Sequence, residues 1–129
     1  MGLDLGFYTR DGTGVLEFRG HDGLLDRILA VTTHDDTIAP FSDFHVTRSM
    51  VTSLLAGIEA DLRALGAPVP PRADPGEVSR ETLCRGVPGG FCDEPPESWR
   101  QALPHYRLLL TRLLALVAAE GHVICSWSV

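Results

Sequence analysis

Residues 98–129 constrain the fold more than any other stretch, because they predict a long amphipathic helix followed at once by a strand. The apolar side chains of the helical part recur at spacings of four, three and four residues, which places them on one helical face. They are Tyr106, Leu110, Leu113 and Val117. An apolar stripe of this kind has to be buried against another layer, so it predicts a sheet beneath the helix.

The sequence also predicts where this helix begins and ends. Ser98 followed by Gln101 matches a capping box, so the helix should begin directly after Ser98. Pro104 falls inside the pattern and predicts either a kink or a restart of the helix at that residue. Gly121 is the expected left-handed C-cap, and the alternation over 122–129 predicts an antiparallel or central strand.

The first 31 residues predict a hairpin and a short helix. Apolar side chains alternate over 3–9 and again over 15–19, and the Asp-Gly-Thr-Gly stretch at 11–14 is typical of the turn between two strands. A helix over about 23–31 should follow, with Asp22 as its N-cap.

Residues 43–66 predict a strand and a second helix. Alternation around Phe44 predicts a short strand at 43–46. Thr47 or Ser49 is the expected cap of the next helix, and Gly66 is its expected end. The apolar residues of this helix repeat at helical spacing: Met50, Leu54, Leu55, Ile58, Leu62 and Leu65.

Periodicity fails from residue 67 to residue 97, where seven of the nine prolines lie. Only 77–83 has a pattern that suits a helical turn or two. Irregular segments of this length inside a compact domain are uncommon and are more often functional or disordered than idle. This loop is therefore the first candidate for a binding surface.

These elements predict an α+β protein in which a small, mostly antiparallel sheet of about four strands carries two to three helices on one face. The expected order is ββαβααβ or ββαβαβ, and the sequence leaves the strand order in the sheet open. We expect residues 1–129 to form a single domain that includes the irregular loop at about 67–97.

Charge and hydropathy exclude some classes of function. The net charge is −6, and residues 1–46 hold eight acidic residues against three arginines, which argues against a nucleic-acid partner and permits a basic protein partner. The apolar runs are too short to span a membrane, and no secretory signal pattern opens the chain, so a cytoplasmic protein is expected. The sequence leaves the oligomeric state open.

Residues with catalytic or ligating chemistry do not form a complete set. The run His34-Asp35-Asp36 would make a metal site with His45 only if the intervening loop folded back. Cys84 and Cys92 have neither zinc-site nor redox-pair spacing, and a dyad of either with His105 has no positive support. We therefore predict packing roles for the cysteines and no catalytic residue, metal or cofactor.

Several short motifs resemble a family of small phage and bacterial proteins that begin Met-Gly-Leu-Asp. The motifs are Met1-Gly-Leu-Asp4 before a strand, Val46-Thr-Arg48 opening a helix, Gly89-Gly-Phe91 ahead of a helix that begins with Trp99, and Ser126-Trp127 in the last strand. The family has no settled activity, so the resemblance implies no function.

Two hypotheses about function follow. The first is a protein-binding module, such as an immunity-type or phage-encoded inhibitor of a basic toxin or nuclease, whose acidic residues would meet that partner. Core packing is expected for most aromatic residues, with Phe91 in the loop as the exception. The expected partner-binding residues are Asp35, Asp36, Asp43, Phe91, Asp93, Glu94 and Glu97. The alternative is a small enzyme or a metal- or ligand-binding protein that uses the loops at 34–45 and 84–92.

Overall fold

The fold is a four-stranded antiparallel sheet with three helices, in a computed structural model that describes residues 3–32, 43–74 and 76–128. The strands are β1 (Asp4–Tyr8), β2 (Gly14–Arg19), β3 (Asp43–Thr47) and β4 (His122–Ser128), and the helices are α1 (Asp22–Val31), α2 (Arg48–Ala64) and α3 (Trp99–Glu120). The α+β class and the order ββαβααβ are thereby confirmed.

The strand order β2-β1-β4-β3 places β4 at the centre of the sheet, between β1 and β3. Phe7 lies opposite Cys125, and Cys125 lies opposite Phe44, and all three side chains are buried on the face that the helices cover. Their neighbours along each strand point to the other face, because side chains alternate along a strand. That outer face carries mostly polar and small residues that are exposed or half-buried.

The stripe of α3 lies against this sheet as predicted. Tyr106, Leu110, Leu113 and Val117 are all buried in one core with the inner face of the sheet. The helix runs without interruption through Pro104, so the predicted restart at that residue is wrong. The helix α3 is long and apolar enough to cross a membrane, but its apolar stripe is buried in this core.

Two of the predicted caps differ in detail. The helix α1 begins at Asp22 itself, with His21 as its N-cap residue and no side-chain cap, so the prediction for Asp22 is wrong. A carboxylate in the first turn is still favourable, because it faces the positive end of the helix dipole. Ser98 caps α3 by accepting a hydrogen bond from the amide of Arg100 at 3.2 Å rather than from that of Gln101.

The helix α2 begins and ends where the sequence predicts. Thr47 Oγ1 accepts a hydrogen bond from the amide of Met50 at 3.3 Å, and Gly66 lies just beyond the helix with a φ of 76°. After it, the described residues of 67–97 form irregular structure, with turns from residue 80 onward and a short 3₁₀ turn at Phe91–Asp93. The predicted irregular loop therefore lies between α2 and α3.

Candidate functional site

The second half of the loop is held against the core by His21, a buried residue between β2 and α1 with only 1% of its surface exposed. Its Nε2 lies 3.0 Å from the carbonyl oxygen of Phe91, and its Nδ1 lies 2.5 Å from the hydroxyl of Tyr106. A carbonyl can only accept, so Nε2 carries the proton and donates to Phe91. Tyr106 then donates its hydroxyl proton to Nδ1.

Burial of His21 favours the neutral form of its imidazole. Burial lowers the pKa of the His21 imidazole below its ordinary value, and burial likewise raises the pKa of the Tyr106 phenol. The rings of Phe18, Phe91 and Tyr106 surround the imidazole, with centroids at 5.0, 5.2 and 5.6 Å from its own. The His21 side chain thus contacts β2, the 3₁₀ turn and α3 at once.

Beside this contact, the loop and the first turns of α3 enclose a surface pocket of about 250 Å³. Phe91 and His105 line it together, with ring centroids 4.8 Å apart. Glu94 and Glu97 also line it, and both side chains are exposed to solvent. The pocket therefore combines an aromatic floor with carboxylates at its edge.

Pro95 and Pro96 form a wall between this pocket and a second hollow of about 370 Å³. The second hollow is mainly apolar, and Trp99 lines it with 52% of its surface exposed. The wall packs closely on the backbone just after β2, since a Cβ at Gly20 would lie 2.5 Å from Pro95. We call the six residues on and beside this wall the ridge surface: Phe91, Glu94, Pro95, Pro96, Glu97 and Trp99.

The first half of the loop is held by the buried carboxylate of Glu59 on α2. This carboxylate accepts hydrogen bonds from Arg72 in the loop, at 2.7 and 3.0 Å, and from Arg107 on α3, at 2.9 Å. The bonds from Arg72 and then Arg107 lower the pKa of Glu59 to about 2, against the opposing effect of burial. Arg107 also donates to the carbonyl of Pro70 at 2.5 Å.

Between these two anchor points, Leu83 is fully buried and its carbonyl accepts a hydrogen bond from Arg112 at 2.8 Å. The loop is therefore held by hydrogen bonds at its start, middle and end. The ridge surface belongs to this ordered part of the loop.

The predicted partner-binding residues separate into three groups. Phe91, Glu94 and Glu97 meet in one pocket, and Asp93 lies in the adjoining 3₁₀ turn without lining that pocket. Asp43 lies at the start of β3, on the outer face of the sheet, and is not part of the ridge surface. Asp35 and Asp36 lie outside the described residues.

The described residues of the alternative site at 34–45 and 84–92 do not form an arrangement that supports catalysis or metal binding. Burial, followed by the neighbouring Cys84, raises the pKa of the Cys92 thiol to about 12, so this thiol is protonated at neutral pH and is a poor nucleophile. Cys84 is exposed rather than packed, which corrects one of the predicted packing roles. Within 3–32, 43–74 and 76–128, no three His, Cys, Asp or Glu residues form a group that suits a metal ion. The predicted partners of His45 at 34–36 lie outside these ranges.

Two side chains of interest are not identified by the sequence pattern. Trp99 was expected in the core and is exposed. His21 has partners 70 and 85 residues further along the chain, so no local pattern reveals its role.

Comparison of the chain with protein-family models, curated proteins and solved structures gave no match.

Proposed function

We propose that this protein is a small binding module that docks a basic protein through the ridge surface. The observation that carries the proposal is the pocket in which Phe91 lies with Glu94 and Glu97 at its edge. The finer role that suits such a module is that of an immunity-type or phage-encoded inhibitor, which covers a functional face of a basic toxin or nuclease.

The ridge surface has the anatomy of an interface centre. Binding energy at protein interfaces is concentrated in a few aromatic or arginine anchors, surrounded by a polar rim that excludes water. Phe91 and the half-exposed Trp99 are candidate anchors on the two sides of the proline wall, and Glu94 and Glu97 supply the rim. The carboxylates favour a partner that presents lysine or arginine beside an apolar side chain.

Preorganisation adds to this argument. Pro95 and Pro96 have a fixed φ, and the hydrogen bond from His21 to Phe91 fixes the turn before them. A surface that is already ordered loses little conformational entropy when a partner binds. The net charge of −6 adds a long-range attraction for a basic partner, which speeds association at low salt.

A peptide library displayed on phage tests the proposal with a defined probe. The wild-type protein should enrich peptides that place a basic residue next to an aromatic or branched apolar residue. The variant Glu94→Gln with Glu97→Gln should bind the enriched peptides about twofold to thirtyfold more weakly, because two rim ion pairs contribute about 0.2–1 kcal/mol each.

The matched control is Asp26→Asn with Glu77→Gln, which removes the same charge at exposed positions outside the ridge surface. This control should bind the peptides within about twofold of the wild type. If both double variants lost affinity equally, net charge rather than the ridge surface would explain the effect. Enrichment of acidic or purely polar peptides would refute a basic partner.

A further inference from the structure

At one end of the sheet, two imidazole rings contact each other on the outer face. His45 on β3 pairs with Ile124, and His122 on β4 pairs with Thr47, so the two histidines occupy diagonal positions on neighbouring strands. Their ring centroids are 4.4 Å apart, with the planes at 63°. Both side chains are half-buried, which leaves part of each ring open to solvent.

A cationic side chain, Arg10 in the turn after β1, is fixed at the same end of the sheet, beside the residue that precedes His122. Its Nη2 donates to the carbonyl oxygen of Glu120 at 2.6 Å. The guanidinium lies over Gly121, where an added Cβ would be only 2.6 Å from Nη2. Gly121 therefore serves two purposes, since its φ of 90° ends α3 and its missing side chain admits Arg10 beside His122.

We propose that His45, His122 and Arg10 form a binding site for an oxyanion of the phosphate class. One of the five guanidinium N–H groups is used on Glu120, and the others remain available as donors to oxygen. Each imidazole supplies a further donor, and protonation makes it a cationic one. Arginine and histidine side chains together can supply several donors to a tetrahedral anion, which has several acceptor oxygens.

The same two imidazoles would also suit a transition metal, but the charge of Arg10 favours an anion. A guanidinium keeps its positive charge at all ordinary pH values, and it repels a divalent cation held by the neighbouring imidazole. Asp43 lies two residues before His45 on the same face of β3, Asp11 follows Arg10 in its turn, and Glu120 lies two residues before His122. These three carboxylates are the nearest negative charges in sequence to the cluster, and a bound anion has to compete with them for the donors of Arg10 and the imidazoles.

The electrostatics of the cluster agree with this assignment. The pKa of His122 is lowered by burial, then by the neighbouring His45 and Arg10. An anion between these groups would relieve the repulsion and favour the protonated imidazole. By linkage, phosphate should then raise the pKa of His122, and phosphate affinity should fall as the pH rises through that pKa.

Proton NMR of the histidine C2–H signals tests the proposal, with inorganic phosphate as the probe and sodium chloride at equal ionic strength as the reference. Phosphate should raise the pKa of His122 by up to about one unit, if the protonated site binds it tenfold more tightly. The C2–H signal of His45 should shift as well, and the signals of His21 and His105 should not respond to phosphate. A shift of the same size in chloride would overturn the proposal.

Variants of Arg10 separate a site from a general salt effect. Arg10→Gln should lose most of the response of His122 to phosphate, and Arg10→Lys, which keeps the charge, should retain part of it. A full response in Arg10→Gln would overturn the site. A parallel titration with adenosine monophosphate distinguishes free phosphate from a phosphomonoester. The anion that suits the site better should bind more tightly and shift the pKa of His122 at lower concentration.

Discussion

The buried carboxylate of Glu59 offers a sharp test of how the irregular loop is held. The bonds from Arg72 and Arg107 lower the pKa of Glu59 from an ordinary 4.5 to about 2. At about 1.4 kcal/mol per unit, this shift corresponds to about 3 kcal/mol of folding free energy. Because the Arg72 side chain is 33% exposed and therefore screened by water, we expect about 2 kcal/mol from Glu59→Gln at pH 7.

The pH dependence of this difference is more specific than its size. The pKa of Glu59 is lower in the folded than in the unfolded chain, so its contribution is fully present above about pH 4.5 and is lost as the pH falls towards about 2. Glutamine resembles the protonated carboxyl group, so wild type and Glu59→Gln should converge in stability over that range.

Urea unfolding of both proteins at pH 7, 4 and 3 measures this convergence, and Glu17→Gln, an exposed change on β2, serves as the control. The difference for Glu59→Gln should shrink at each step, and the control should differ little from wild type at any pH. A difference that stays constant from pH 7 to pH 3 would refute the argument, since it would show that shape rather than charge holds the loop.

Three further predictions concern the core, the histidine contact and the acidic residues before β3. Leu113→Ala should cost about 2 to 5 kcal/mol in thermal or urea unfolding through lost burial and a cavity, and a melting shift of under a degree or two would contradict the buried stripe. Tyr106→Phe should cost about 1 to 3 kcal/mol because it leaves the buried Nδ1 of His21 without its donor, and hydrogen exchange of the 3₁₀ turn should speed up; unchanged exchange would disprove this link. Asp35→Asn with Asp36→Asn should slow association with a basic partner at low salt while stability changes by under about 0.5 kcal/mol; rapid-mixing kinetics with equal rates for the variant and wild type at both low and high salt would remove these residues from the interface.

The parts of the fold that were predictable are those set by neighbours in the sequence. The stripe of α3, its end at Gly121 and the cap of α2 at Thr47 depend on residues within one or two helical turns, so spacing alone reveals them. The order of strands in the sheet depends on pairings between distant segments, such as Phe7 with Cys125, and no local pattern encodes it.

The candidate site follows the same division. Phe91, Glu94 and Glu97 lie within seven residues, so the sequence could group them, and the structure places them around one pocket. The contact of His21 with Tyr106 spans 85 residues, and the contact of His45 with His122 requires β3 and β4 to be neighbours. Asp22 is the first residue of α1 and not its N-cap. The N-cap position is taken by His21, whose side chain is buried in the core and does not cap the helix.

The central position of β4 has a consequence for synthesis on the ribosome. Among the described strands, β3 pairs only with β4, and the β1–β2 hairpin joins β3 only through β4. The ribosome makes β4 after every other described element of the fold, so β3 and the inner faces of the three helices cannot complete their packing before β4 is made. Until residues 122–128 emerge, the nascent chain exposes unpaired strand edges and apolar surface, which are the features that holding chaperones bind and that favour aggregation.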